Sequence, residues 1–285
     1  MNEYTYIDTN AAFADYLKDL KERGVWEVAL DIEGEFNLHV YGERFCLLQI
    51  TDGEREVAVD PLAVSREPLK QLLEDRNLLK VTYDCASDRL LLAKSHGILM
   101  SSILDLRPAV ELLDYPKQDL SSVLDSELGV REEGSKKRFQ QYNWTRRPID
   151  SAAIEYAMDD VRHLFALKEV LLRQLAERGQ MERYILENLK RQDREPDTNR
   201  KPGVLRSGRF KRLSRSRQKE FERIHEIRDR YARQLDLPPD TVLSNKDIIA
   251  LVSDEISLGS IRGNRRVPQG KVEALKNEIA EGGSS

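Results

Sequence analysis

Four acidic side chains sit where chemistry could be done. Asp31 and Glu33 close a hydrophobic run in Ala-Leu-Asp31-Ile-Glu33, Asp88 lies in Tyr83-Asp-Cys-Ala-Ser-Asp88-Arg-Leu-Leu-Leu, and Asp160 lies in Tyr156-Ala-Met-Asp-Asp160-Val. Carboxylates on three separate elements, with a partner on the first, can hold two magnesium ions, and two such ions about 3.5–4 Å apart can cut a phosphodiester bond. Strand side chains alternate, so positions 31 and 33 project to one face of a strand end. Burying unpaired charges there is costly unless a cation compensates, the structural alternative being that both are solvated where the strand emerges. Asp88 opens a helix, where an acid also favours the macrodipole, and Asp84 competes with it for any metal role. Tyr156 and Asp160 are spaced i, i+4 and share a helix face, so the phenol can position an attacking water beside the carboxylate. Asp159 is adjacent but rotated about a quarter turn away.

The elements that must carry these groups are readable from periodicity. Residues 7–23 read as a helix with N-cap candidates at Asp8-Thr9-Asn10 and Phe13, Tyr16, Leu17 and Leu20 at helical spacing, ended by Gly24. Strands are expected at 25–32, 45–50, 56–60, 78–83 and 103–106, the first three suggesting an antiparallel meander, with helices at 68–75 and 86–96 and a run of helices to about Gly179. This order predicts an α/β fold, a mixed sheet flanked by helices. Beyond it, 191–215 reads as a basic linker, and Phe221, Ile224, Ile227, Tyr231 and Leu235 mark a helix face in a small all-helical part over 216–285. Ser244 with Asp247 resembles a capping box.

The 285-residue chain is 40% hydrophobic and 34% charged, which suits a soluble protein with one large and one small domain. No apolar run approaches the roughly 20 residues that span a bilayer, and the N-terminus does not read as a signal peptide. Cys46 and Cys85 stand in apolar contexts without metal-binding spacing, as buried free thiols of a reducing, cytoplasmic setting would. The net charge of −4 hides an asymmetry: Arg191 to Arg217 holds ten Lys/Arg against three Asp/Glu, a local excess of +7 that leaves −11 on the rest. Such a segment is either a solvated linker or a surface for nucleic-acid backbone.

Taken together, these motifs resemble the DEDD 3'-5' exonucleases, in the DEDDy branch typified by ribonuclease D. Asp31-Ile-Glu33 looks like the first motif and Cys46-Leu-Leu-Gln49-Ile like the strand that follows it. Tyr83 to Leu90 resembles the second motif, which selects Asp88 over Asp84. Trp144-Thr-Arg-Arg147-Pro148-Ile149 followed by Tyr156 and Asp160 looks like the third region, with Ile149 where the family has leucine. Lys137 and Gln140 resemble the lysine and glutamine of the loop before that tryptophan. The sister branch uses histidine five residues before the last aspartate; here that position is Glu155, and His163 lies beyond it. The C-terminal part, from Phe221, resembles an HRDC module, without the usual Ile-Pro-Gly turn before its last helix.

The resemblance covers roughly 5–190 and implies an RNase H-like exonuclease domain over 1–190, the 191–215 linker and an HRDC-like domain over 216–285. It implies two Mg2+ or Mn2+ ions, Asp31, Glu33 and Asp160 ligating the first, Asp31 bridging to the second, Asp88 supporting it, and Tyr156 orienting the water. Oxygen ligands suit magnesium or manganese over zinc. The implied activity is 3'-5' exoribonuclease hydrolysis to nucleoside 5'-monophosphates on single-stranded or 3'-overhanging RNA such as tRNA precursors, with no membrane and no obligate protein partner. The alternatives are a DNA or short-oligonucleotide exonuclease and a non-catalytic RNA-binding scaffold. Gln49, Lys137, Gln140, Trp144 and Arg147 are the candidate substrate contacts, beside Phe139, Tyr142, Lys136, Arg138 and Arg146 in one groove wall. Gln49 and Trp144 also read as core residues.

Overall fold

The apolar runs of the first two hundred residues become a six-stranded sheet. A computed structural model describes residues 4–131, 139 and 141–282. Its backbone divides into two compact units, one made of residues up to Gly34 with Arg44–Thr198, the other of Glu35–Glu43 with the chain from Asn199.

In chain order the first unit contains β1 (Thr5–Ile7), α1 (Asn10–Glu22), β2 (Glu27–Phe36), β3 (Glu43–Thr51), β4 (Glu56–Val59), α2 (Arg66–Leu73), β5 (Leu79–Thr82), α3 (Ala86–His96), β6 (Ile103–Asp105), α4 (Arg107–Leu112), α5 (Leu120–Leu128), α6 (Ser151–Arg162), α7 (Leu164–Glu177) and α8 (Met181–Asp193). The last residues of β2 and the first of β3 fall in the second unit. The sheet order is β1-β4-β3-β2-β5-β6, with β1/β4, β2/β5 and β5/β6 parallel and β3/β4 antiparallel. It is the expected mixed sheet flanked by helices.

Two expectations need correcting. Ile7 is not helical: it belongs to β1, which pairs with Val59 in β4, and the helix starts at Asn10 because the Thr9 side chain caps it by accepting from the Ala12 N–H at 3.3 Å. The run of helices does not stop near Gly179 either. Gly179 adopts φ +63°, which turns the chain into α8.

Alternation along β2 sorts the core into two layers. Val28, Leu30 and Ile32 pack with α1, α2 and α3, whereas Ala29 packs with α6, α7 and α8. Asp31 and Glu33 follow Ala29 in the period of two, so they face the α6 layer.

The second unit is helical: α9 (Gly208–Lys211), α10 (Arg215–Leu235), α11 (Pro239–Val242), α12 (Asn245–Val252) and α13 (Gln269–Glu281), with short 3-10 turns at Gly203–Arg206 and Leu258–Ser260. Phe221, Ile224 and Ile227 of α10 meet Ile248, Val252, Val272, Leu275 and Ile279 in its core. Ser244 caps α12, accepting from the Asp247 N–H at 3.0 Å while its hydroxyl donates to the Asp247 carboxylate at 2.7 Å. Residues 35–43 belong here too: the Tyr41 hydroxyl donates to Asp229 at 2.7 Å, and Arg266 donates to the His39 carbonyl at 2.7 Å. The stretch 191–215, expected as a linker, holds the end of α8, a 3-10 turn and α9. Among the described residues no helix is long and apolar enough to cross a membrane.

Candidate active site

Three carboxylates converge at the end of β2. Oxygens of Asp31, Glu33 and Asp160 all lie within 4.8 Å of one another, with each residue half-buried. Asp160 is delivered by α6, whose first turn is capped by Asp150 accepting from the Ala152 N–H at 3.1 Å. Ala153, Ile154, Ala157, Met158 and Val161 form its buried face, and this packing leaves Tyr156 and Asp160 together on the side turned to β2. Arg162 ties the same helix to the sheet: its guanidinium donates to both oxygens of Glu56 on β4, at 2.8 and 3.0 Å, and pairs with Glu155 at 2.8 Å and with Asp159.

Asp88 stands in the first turn of α3, outside the trio, but its charge reaches it. Burial pushes the Asp31 carboxyl well above its ordinary range, and the charges of Asp88, Asp160 and Glu33 push it further. Glu33 is raised to about 8, by burial first and then by Asp160 and Asp88. Asp88 is raised to about 7 by burial and by Asp84 and Asp105. Among the described residues, the chief groups that shift these three carboxyls include no cationic side chain. A hard divalent cation with oxygen preference fits such a donor set and would relieve its repulsion.

Burial, then Asp160, Glu33 and Asp31, raises the Tyr156 phenol to about 12, so it stays protonated at neutral pH and can donate a hydrogen bond. The Phe139 ring stacks on it at 5.3 Å, which holds it in place.

The residues that competed for these positions are occupied elsewhere. Asp84 is exposed at φ +58° and pairs with Arg107 at 3.4 Å, Asp159 and Glu155 pair with Arg162, and His163 joins α6 to α7. Nothing in the sequence pointed to Arg162 as the tether of α6, because its partner Glu56 is 106 positions away.

A sequence profile described as 3'-5' exonuclease matches residues 4–176. The chain belongs to this exonuclease family. All four acidic residues and Tyr156 lie within the family's matched span. Ribonuclease D of Xanthomonas oryzae pv. oryzae is 29% identical over 219 residues, 72% of this chain but 57% of that protein, so the chain spans little more than half the length of that relative. Two crystal structures share the fold of this family member. One is the catalytic core of RRP6 from Trypanosoma brucei (TM-score 0.80, 20% identity, 100% of this chain and 81% of that one). The other is Escherichia coli RNase D, an exoribonuclease involved in structured RNA processing (TM-score 0.73, 22% identity, 98% and 75%).

Of the candidate substrate contacts of this exonuclease domain, Gln49, Trp144 and Arg147 lie among the described residues, and each is packed or bonded within the protein. Trp144 is 4% exposed and packs edge-on against Tyr142 at 4.8 Å, as a core anchor for the loop before α6. All five N–H groups of Arg147 are spent internally, on Asp60 (2.5 and 2.6 Å) and on the carbonyls of Cys46, Trp144 and Arg146. That geometry makes Arg147 a brace between loop and sheet and leaves no donor for a phosphate. Gln49 is fully buried on β3 beside Ala58, and its amide has no hydrogen-bond partner among the described residues. Lys137 and Gln140, with Lys136 and Arg138, lie outside the described residues.

Proposed function

We propose that this chain is a divalent-metal-dependent 3'-5' exoribonuclease of the ribonuclease D kind. The observation that carries the reading is the carboxylate trio of Asp31, Glu33 and Asp160 with Tyr156 on the same helix face as Asp160. A scaffold that only bound RNA would gain nothing from clustered negative charge where phosphates must approach. The RNA preference leans on the ribonuclease D relative from Xanthomonas oryzae.

In this reading the sites follow the DEDDy arrangement. Asp31, Glu33 and Asp160 would hold one Mg2+ or Mn2+, and Asp31 with Asp88 a second. Bound cations would supply Lewis acidity, making water nucleophilic near neutral pH and neutralising charge on the leaving oxygen. The Tyr156 phenol, fixed by Phe139, orients the attacking water toward the terminal phosphorus. Water oxygen adds to phosphorus, the bond to the 3'-oxygen of the penultimate nucleotide breaks, and that oxygen takes a proton. A nucleoside 5'-monophosphate leaves and the RNA is one nucleotide shorter. Substrates would be single-stranded or 3'-overhanging RNA, tRNA precursors among them. The buried free thiols Cys46 and Cys85 suit a cytoplasmic setting.

The second unit, in its HRDC-like role, would help hold the RNA. Lys201 to Lys219 contains eight Lys/Arg and no acid, every one of those cations exposed. Such a surface attracts phosphate backbone irrespective of sequence.

The test is digestion of 5'-labelled single-stranded RNA with Mg2+ or Mn2+, beside Asp31→Asn and a chelator control. A ladder shortening from the 3' end, absent in both controls, is expected. Wild-type rate in Asp31→Asn would remove this site, and no cleavage of RNA, DNA or dinucleotides under either metal would leave the binding scaffold standing.

A further inference from the structure

We propose that Arg89 and Asp105 are positioning residues for Asp88, clamping the turn between β5 and α3 to β6 and to the C-terminal end of α8. The inference rests on the functional reading above, and it deepens it by naming what holds the fourth carboxylate in place.

The turn that presents Asp88 is tied on both sides. Upstream, Asp84 sits at φ +58°, a left-handed conformation that an L residue adopts only with support. Its N–H donates to the Asp105 carboxylate at 2.8 Å, and the same oxygen accepts from the Arg107 N–H at 2.9 Å. Asp105 is 3% exposed and is the last residue of β6, paired in register with Thr82 at the end of β5. Its carboxylate therefore bridges the ends of two adjacent strands. Downstream, Arg89 follows Asp88 directly. Its guanidinium donates to the carbonyls of Arg191, Gln192 (2.9 Å) and Arg194 (3.3 Å), which end α8. Those carbonyls have no partner within the helix, and a cation at a helix C-terminus is favoured.

Helix α8 closes the loop between these two ties. β6 is an edge of the sheet, and α8 covers it in place of a seventh strand. Asn188 accepts from the Asp105 N–H at 2.8 Å and donates to its carbonyl at 3.3 Å, the Tyr184 hydroxyl donates to the same carbonyl at 3.0 Å, and the Gln192 side chain accepts from the Ile103 N–H at 3.0 Å. Arg191 also reaches Asp105 at 3.5 Å. One helix thus grips β6 with its side chains and the first turn of α3 with its terminal carbonyls. Asp88 lies between the two fixed points, four residues after Asp84 and one before Arg89. Loosening either lets the carboxylate drift relative to Asp31, whereas Asp31, Glu33 and Asp160 belong to β2 and α6 and stay put.

The experiment uses the full chain and Mn2+ without RNA, with binding read by calorimetry and backbone protection by amide hydrogen exchange. Arg89→Ala should weaken the Mn2+ site that Asp88→Asn removes, by about 10–100-fold as for other residues that orient metal ligands, and should speed exchange at residues 84–89. Asp105→Ala should do the same. Asp105→Asn keeps an oxygen that can accept both N–H groups and should restore affinity and protection, which a general loss of folding would not allow. Folded Arg89→Ala with parental Mn2+ affinity, while Asp88→Asn is defective, would overturn the clamp alone. A parent chain that binds no Mn2+ would overturn the functional reading and the clamp's role with it.

Discussion

The carboxyls of Asp31, Glu33 and Asp88 are held above their ordinary range by burial and by neighbouring carboxylates, which is the reverse of what a salt-bridged acid shows. Their unfolded values lie near 4, so the cation-free folded chain binds extra protons and loses stability as pH rises from about 4 through about 8. Bound cations would offset that loss. Mn2+ should therefore raise the melting temperature little at pH 5 and progressively more toward pH 8, as followed by thermal unfolding; a pH-independent increment would separate these carboxyls from the metal. Tyr156→Phe removes the hydroxyl and keeps the ring on Phe139. It should lower kcat by about 100-fold, within the range of a lost water-positioning or proton-handling group, while Mn2+ affinity stays at the parental level. An unchanged kcat would take the phenol out of the mechanism.

At the scale of elements, α6 is the part on which the site depends most, since it carries both Tyr156 and Asp160. The sequence placed Tyr156 and Asp160 on one helix face, and the structure adds the cap: Asp150 precedes the buried series Ala153, Ile154, Ala157 and Met158. Asp150→Ala should cost about 1 kcal/mol, typical of a lost N-cap, and lower the melting temperature by about 2–4 °C for a chain of this size. Scanning calorimetry would show it, and no shift would mean that packing and the Arg162 tether alone hold the helix. By contrast α8 lies beyond the run of helices expected from the sequence. Its exposed face carries Ile185, Leu186 and Leu189, and its inward contacts are the polar side chains of Tyr184, Asn188 and Gln192 on the edge of β6. A helix that docks largely through hydrogen bonds and shows leucines to solvent does not mark its buried face with its apolar residues.

Across the whole molecule, charge is divided between an acidic body and the basic stretch of the second unit, and salt should reveal the consequence. RNA binding should weaken with rising salt, and Arg209→Glu, Arg212→Glu and Arg215→Glu combined should flatten the log–log slope by about 2, at about 0.7 per phosphate released from a single strand. Cleavage of a dinucleotide should be unaffected, and an unaltered slope for long RNA would assign that stretch to solvent. The reach of the sequence differs between these levels. Residue types at local spacing were enough to put Asp31 with Glu33 on one strand face and Tyr156 with Asp160 on one helix face, and to give the sheet-and-helix class, because alternation in strands and the 3.6-residue helical period are local properties of the chain, whereas choosing Asp88 over Asp84 took the family resemblance. They were not enough for Ile7, whose strand exists only because β4 lies beside it, or for Arg147, whose type suggests a phosphate ligand until Asp60 and three carbonyls take up its donors. Nor could they divide the chain, since residues 35–43 join the second unit from the tip between β2 and β3. Which carboxylates meet, which cations are already paired and which helix grips an edge strand are set by contacts between residues tens to a hundred positions apart, and only the tertiary structure decided them.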